Sequence, residues 1–430
     1  MRSCAAGLLT LIAAASCARP EPIIRRGSVA RVLSVLSADS MRGRAAFTPD
    51  AERAADFIAG EFAAIGLESL PGTVGYRQTF PVFTVAVDST DVVLNGRRMP
   101  ASRTAARLTR SVNWTDPTDV EIVVFGPDGD PQPQLMRLFQ GEGDRLALVH
   151  SSHEPLFARL QRWFGRATRT LDTVSGVNLV VVLTDDAAVR SIEVQAATTI
   201  DTTARLSNVI GTIVGRRPDE LIVFSGHYDH VGVRAPIDGD SIANGANDNA
   251  SGTTAVIELA RYYDALGRPE RTLVFVAFAA EEAGGYGSEY LAGRLHPDEI
   301  VALFNIEMIG KVAGDGPNRA WITGWDESDF GPLLAAAVPD SVFAFTADPY
   351  PDENLFYRSD NAVFARLGVP AHSISTTPID VDPDYHRVTD EIETLDIDHM
   401  TATIRAIALA ARPIVAGTVT PSRIDPERLR

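Results

Sequence analysis

The stretch LVFVAFAAEEAGGYGSEYL, residues 273–291, decides how this chain is read. Its first half is an unbroken apolar run, without the alternation of a half-buried strand. It predicts a strand covered on both faces, as in parallel sheets flanked by helices. The run ends at two adjacent glutamates, Glu281 and Glu282, and a glycine-rich turn follows. Like charges this close repel, and burial raises their pKa values. Either both face water or something nearby offsets the cost.

Similar runs recur on both sides of it. NVIGTIV (208–214), ELIVFSG (220–226), RTLVFVAFA (271–279), IVALFNIEMIG (300–310), AWITGW (320–325) and AHSIS (371–375) are strand candidates. Helical spacing separates them, over 252–266 with Ile257, Ala260 and Tyr263 on one face, and over 396–411. This alternation predicts an α/β three-layer sandwich with a mixed, mainly parallel central sheet, the second part of a catalytic domain spanning 205–415. Residues 28–85 read as the helical N-terminal part of the same domain. There Ala54, Phe57, Ile58, Phe62, Ile65 and Leu67 recur near helical period, with Asp50 as a cap and Gly66 as a stop. Residues 86–200 have another texture. Short β-like runs (DVEIVVFG, LALVH, VNLVVVL) alternate with polar connections, which predicts an inserted β-rich domain. It carries His150 and His153, but no acidic cluster at an assignable spacing.

Composition bounds the function. At 45% hydrophobic and 22% charged the 430 residues are those of a globular protein, and a net charge of −17 argues against nucleic acid and anionic membranes as partners. MRSCAAGLLTLIAAASCARP has Arg2 ahead of a short apolar core, so residues 1–17 read as a signal peptide. Two readings stay open. Cleavage could fall at the alanines around 13–15, or Cys17 could be the lipidated first residue of a lipoprotein, although Ala14 is atypical for that motif. The expected location is a bacterial envelope: periplasmic, secreted or lipid-anchored, with no other membrane contact. Both cysteines, Cys4 and Cys17, lie in this segment, so the rest of the chain has neither disulfide nor thiol chemistry.

Ligand sites in open α/β sheets collect at the carboxyl ends of strands. At those ends stand GHYDHVG with His227, Asp229 and His230; NGANDNASG with Asp248; Glu281 and Glu282; Glu307; and DPDYHRVTDE with His386. Histidine and carboxylate together suit zinc or a similar divalent ion, and one carboxylate can bridge two ions. Each position also has a plainer reading, since Asp248 sits in a turn-prone sequence and Glu281 and Glu282 could be a solvated pair. His230 is either a supporting residue or an exposed one. His296, His372 and His399 read as structural or surface residues.

GHYDHVG, NGANDNASG, FVAFAAEE…GSEYL, NIEMIG, FYRSDN…GVPA and DYHRVTDEIETLD occur in this order. Together they resemble family M28, the co-catalytic zinc aminopeptidases, in an exported bacterial form. The resemblance covers 205–412 and extends to MRGRAAFTPDAERAADFIAGEFAAIGL. It implies two zinc ions, His227 and Glu307 on one, Glu282 and His386 on the other, with Asp248 bridging. It implies Glu281 as general base and acid, Asp229 bonded to the second nitrogen of His227, and a cis peptide after Asp248. The implied substrate is a peptide with a free N-terminus. The family more often has Asp at Glu307 and His at Asn361, and many relatives carry a protease-associated domain where residues 86–200 stand. Met308, Phe356, Tyr357 and Tyr385 are candidates for lining a pocket, with plain packing as the alternative. A dipeptidase or carboxypeptidase with the same centre, a one-zinc glutaminyl-cyclase-like enzyme and a non-catalytic binding protein are the other functions to weigh.

Overall fold

The computed structural model describes residues 21–429 apart from 140 and 175. The expected signal segment, with Cys4 and Cys17, lies outside the described residues. Among those described, no helix is long and apolar enough to cross a membrane.

A 9-stranded mixed sheet organises the main domain. At its centre Arg271–Phe278, Arg217–His227, Ile300–Ile306 and Ala371–Ser375 run parallel, each hydrogen-bonded to the next. Antiparallel neighbours border them, Arg205–Ile213 on one side and Arg319–Ile322 on the other. The apolar runs have a simple cause. Ile222, Phe224, Leu273, Phe275 and Phe304 point to a layer formed by the helices Arg26–Leu36, Pro49–Ile65, Gly252–Leu266 and Ile397–Val415. Their neighbours Leu221, Val223, Val274, Val276 and Leu303 point the other way, to Leu291, Ala292, Phe364 and Ala365 of two short helices. Successive side chains on a strand alternate faces, so burial of both faces requires an apolar residue at every position. This is the α/β sandwich that the runs predict.

The N-terminal part differs from an all-helical reading. Thr48, not Asp50, caps Pro49–Ile65, accepting the Asp50 N–H at 3.3 Å with Pro49 at the helix start. Proline is tolerated there because its missing N–H would have no partner. Gly66, at φ 94°, ends the helix in the left-handed region that favours glycine. Beyond it the chain turns to strand, and Glu68–Ser69 and Arg77–Pro81 pair with Arg205–Ile213. Residues 66–81 therefore extend the sheet edge.

Between strands Phe83–Leu94 and Ile192–Asp201, which pair antiparallel, the chain builds a separate unit. A 5-stranded and a 4-stranded sheet pack through Val92, Leu94 and Val194 against Leu146, Leu148, Val180 and Val182. Helices Gln132–Arg137 and Glu154–Phe164 cover the outer face of the smaller sheet, with Leu135, Phe157, Leu160 and Phe164 buried there. The unit thus has helices as well as strands.

Candidate metal centre at the strand ends

The parallel strands deliver the polar residues to one edge. Arg217–His227 ends on His227, Arg271–Phe278 leads into Glu281 and Glu282, and Ile300–Ile306 leads into Glu307. Asp248 lies in the loop before the Gly252–Leu266 helix, and its peptide bond to Asn249 is cis. Each exit is sharp. Ala280 at φ 60°, Met308 at φ 50° and His386 at φ 58° occupy the left-handed region that non-glycine residues enter rarely. Such turns let adjacent glutamates reach one cleft, which an extended strand would prevent. Strained backbone of this kind clusters at functional sites.

His227, Asp248, Glu281, Glu282, Glu307 and His386 come together in space. His227 Nε2 lies 2.9 Å from Glu307 Oε1 and 3.5 Å from Asp248 Oδ1. His386 Nε2 lies 3.1 Å from both Asp248 Oδ2 and Glu282 Oε1. The two oxygens of Asp248 therefore face different partners, as a bridging carboxylate does. Glu281 Oε2 stands 4.0 Å from His227 Nε2. Two groups, His227 with Asp248 and Glu307 and His230 with Asp248 and Glu282, bring their ligand atoms close enough for a small divalent cation on each side of Asp248, and His386 stands beside the second group.

Asp229 departs from its expected place. His227 Nδ1 meets the backbone oxygen of Asp229 at 3.1 Å, whereas the nearer carboxylate oxygen is 3.8 Å away. That carboxylate instead accepts the backbone N–H groups of Glu281 at 3.1 Å and Glu282 at 3.3 Å. The reason is local: the strand before these glutamates has ended, so their N–H groups lack a ladder partner and a buried acceptor must supply one. Asp229 thus holds the glutamate turn, while its main chain orients His227.

The electrostatics separate the neighbouring glutamates. Burial pushes Glu281 well above the usual carboxylate range, with His227 opposing it. Burial acts on Glu282 in the same direction, but hydrogen bonds from His230 and His386 outweigh it and hold Glu282 well below that range. Burial raises Asp229 to about 7, partly countered by His227. For His386 burial is outweighed by Asp248 and Glu282, which raise it to about 9. Cations in this cleft would favour the ionised carboxylates and the neutral imidazoles.

Several supporting residues were not singled out by the sequence. Asp390, buried, accepts the N–H of Asn247 at 2.9 Å and of Asp248 at 3.0 Å. Ser359 donates to Glu307 Oε2 at 2.7 Å. Arg44 is fully buried and donates to the carbonyls of Tyr228 at 2.7 Å, Asn244 at 2.7 Å and Gly245 at 2.9 Å. It ties together the loops bearing His227 and Asp248. The signals were present in MRGRA and HRVTDE, but nothing in them reports side-chain direction. His230 is buried, with Nδ1 3.0 Å from Glu282 Oε1. Asn361 faces inward, bonding the Phe356 carbonyl at 3.0 Å and the Ser373 hydroxyl at 2.9 Å. The cleft itself is lined by Met308, Trp321, Leu355, Ile379 and Tyr385 beside the carboxylates. Of the remaining pocket candidates, Phe356 is buried against Gly324, and Tyr357 lines a neighbouring depression. His372 is buried, His399 is buried and His296 is exposed.

The fold and centre define a class: α/β domains that gather histidines and carboxylates at their strand ends for metal chemistry. Residues 208–411 match the model of Peptidase family M28, and this part of the chain is an M28 peptidase domain. A probable zinc metalloprotease of Leptosphaeria maculans is 42% identical over 118 residues, 27% of this chain and 27% of that one. Leucine aminopeptidase 1 of Trichophyton rubrum is 30% identical over 203 residues, 45% of this chain and 54% of that one. The matches thus span from about a quarter to about half of these relatives' length. Among solved structures, a zinc aminopeptidase from Bacillus subtilis aligns at TM-score 0.56 and 19% identity, over 93% of this chain and 98% of that one. An aminopeptidase from an Aneurinibacillus species aligns at 0.52 and 20%, over 91% and 94%. These two share the fold.

Proposed function

We propose that the chain is an exported di-zinc aminopeptidase. The observation that carries this reading is the division of Asp248, with Oδ1 toward His227 and Oδ2 toward His386. In this reading His227 and Glu307 hold one ion, Glu282 and His386 the other, and Asp248 bridges them. The names of the relatives, zinc metalloprotease and leucine aminopeptidase, support the metal and the reaction. Bound there, a pair of zinc ions supplies the Lewis acidity that polarises a peptide carbonyl and acidifies water.

The chain's own groups do the rest. Glu281, beside His227 and bound to neither ion, takes a proton from the attacking water and returns it to the departing amine. Asp229 fixes where that carboxylate stands by holding its backbone N–H. The acidic lining of Asp248, Glu281, Glu282 and Glu307 favours the cationic end of a peptide, its free α-ammonium. The hydroxyls that border the cleft are turned to the protein: Ser375 and Thr377 donate to the Met308 carbonyl and Ser373 to Asn361. A side chain entering the cleft meets the apolar wall of Met308, Trp321, Leu355 and Ile379, with Tyr385 and Arg358 also at its border. An uncharged aliphatic N-terminal residue is therefore expected. Hydrolysis of a leucine anilide should disappear on complete chelation and return with zinc. Full activity in metal-free protein would overturn the reading, and equal hydrolysis of N-blocked and free peptides would remove the aminopeptidase part of it.

One observation favours a second reading. Arg358 lines the same cleft among the acidic residues, with Nη1 3.0 Å from Glu353. A guanidinium there could receive a dipeptide's carboxylate. A dipeptide cleaved about tenfold faster than its C-terminal amide, with the preference lost in Arg358→Met, would mark a dipeptidase.

A further inference from the structure

His230 is the part of this centre whose role the ligand assignment leaves open. Its Nδ1 stands 3.0 Å from Glu282 Oε1 and 3.7 Å from Asp248 Oδ2, close enough to both to suggest a further ligand. The other ring nitrogen argues against that. Nε2 is buried and, among the described residues, has no hydrogen-bond partner. If Nδ1 gave its lone pair to a cation, the proton of the neutral ring would sit on Nε2, a buried donor without an acceptor. Either tautomer leaves Nε2 unpaired, at about 1–3 kcal/mol, but metal-binding histidines as a rule donate their second N–H, and His230 has no acceptor for one. His227 follows that rule, with Nδ1 3.1 Å from the Asp229 carbonyl. His230 does not. With the proton on Nδ1, its only N–H is paired to Glu282 and Nε2 is left as a bare lone pair.

The ring is also held too firmly to choose another partner. A Cβ at Gly245 would come within 2.5 Å of His230 Cγ and Cδ2, so the ring lies flush against a backbone that only glycine permits. Arg44 grips the carbonyls on either side of the ring, those of Tyr228 and Gly245, and the backbone N–H of His230 approaches the Arg44 carbonyl at 3.4 Å. The His386 ring meets the His230 ring edge-on at 5.7 Å between centroids.

We infer that His230 is a positioning residue rather than a ligand. It donates Nδ1–H to Glu282 and fixes that carboxylate toward Asp248 and His386, presetting the second cation site. The inference rests on the di-zinc reading. Asp229 holds the backbone of Glu282 and His230 its side chain, so the ligand arrives already oriented.

The test separates donor from ligand. His230→Asn keeps an N–H near the position of Nδ1, whereas His230→Leu keeps bulk and removes the donor. His230→Ala, which adds nothing against Gly245, replaces the leucine variant if that one does not fold. Zinc bound per chain and its two affinities are read by competition with a fluorescent chelator. Absorption of the cobalt-loaded proteins reports the ligand set. The wild type and His230→Asn are expected to bind two ions with affinities within a few-fold and the same cobalt spectrum. His230→Leu is expected to keep one affinity and to lose roughly 10–100-fold in the other. If His230→Asn loses as much as His230→Leu and its cobalt spectrum changes, His230 is a ligand and the inference fails. If His230→Leu binds both ions like the wild type, the bond to Glu282 has no positioning role and the inference also fails. A wild-type protein that binds fewer than two zinc ions would overturn the di-zinc reading itself, a result distinct from either.

Discussion

Glu281 and Glu282 are one residue apart, yet their surroundings differ. Glu282 accepts from His230 and His386, while Glu281 has burial and like charges around it. Divergent environments of this kind are how one of two carboxylates becomes a base and the other a ligand. Glu281→Gln keeps shape and hydrogen bonding but removes the base. It should lower kcat by about 10²–10⁴-fold with bound zinc unchanged, and retained turnover would transfer the role elsewhere. A second residue ties acidity to stability. Burial pushes His372 down to about 4 from 6.5. Its Nδ1 donates to the Thr323 carbonyl at 2.8 Å and Nε2 accepts from Ser328 at 2.7 Å, so the folded ring is neutral. Between these pKa values the unfolded chain binds a proton that the folded one does not. Stability is therefore full above about 6.5 and falls as pH drops toward 4, by up to about 3 kcal/mol. Urea titrations of metal-free protein from pH 7 to 4 should show a smaller loss in His372→Gln than in the wild type.

At the level of elements, the centre depends on a helix start pressed against a strand end. A Cβ at Gly252 would lie 2.0 Å from the Ile306 carbonyl, and one at Gly226 would lie 3.1 Å from the same oxygen. Only glycine lets the Gly252–Leu266 helix begin there and bring Asp248 beside His227. Thr253, one residue on, donates to the His227 carbonyl at 2.7 Å and locks the contact. Gly252→Ala should destabilise the fold by about 1–3 kcal/mol, as overpacking does. Gly60, exposed inside Pro49–Ile65 with nothing within 4 Å, makes the opposite prediction. There alanine should stabilise by about 0.5–1 kcal/mol. Guanidinium denaturation of the two variants checks both signs at once.

At the level of the whole molecule, residues 83–201 enter and leave through adjacent paired strands, with Thr84 opposite Asp201. Just outside them the Val82 N–H bonds the Ala204 carbonyl at 3.1 Å, and Pro81 pairs with Arg205. A two-residue turn could close that gap, so replacing 83–203 by Asn-Gly should leave a folded main domain that still binds zinc. Circular dichroism and metal content test this, and an unfolded product would make the inserted unit part of the main core. The unit does touch the catalytic side. The Arg169 guanidinium lies 4.1 Å from the centre of the Phe47 ring, and Tyr286, first residue of the helix after the glutamate turn, donates to the Arg169 carbonyl at 3.2 Å. Excision should therefore change KM more than zinc affinity.

The sequence by itself determined the two-sided strands, because a residue between neighbouring strands must be apolar on whichever face it points to, and that need is written at every position of 273–278. It also determined that histidines and carboxylates stand where those strands stop, since an apolar run ends visibly. It did not reveal that Thr48 starts the first long helix or that 66–81 become strand, because their partner, Arg205–Ile213, lies far along the chain. The tertiary structure alone decided which way each side chain turns after its strand ends. His230 turns inward to Glu282, the Asp229 carboxylate reaches the glutamate turn, and Asn361 faces the core. It alone brought Arg44 under loops some 200 residues away and Asp390 under Asp248. These choices depend on left-handed turns and on contacts between distant segments. No local pattern of residues encodes either, because each is set by what the packed neighbour leaves unpaired.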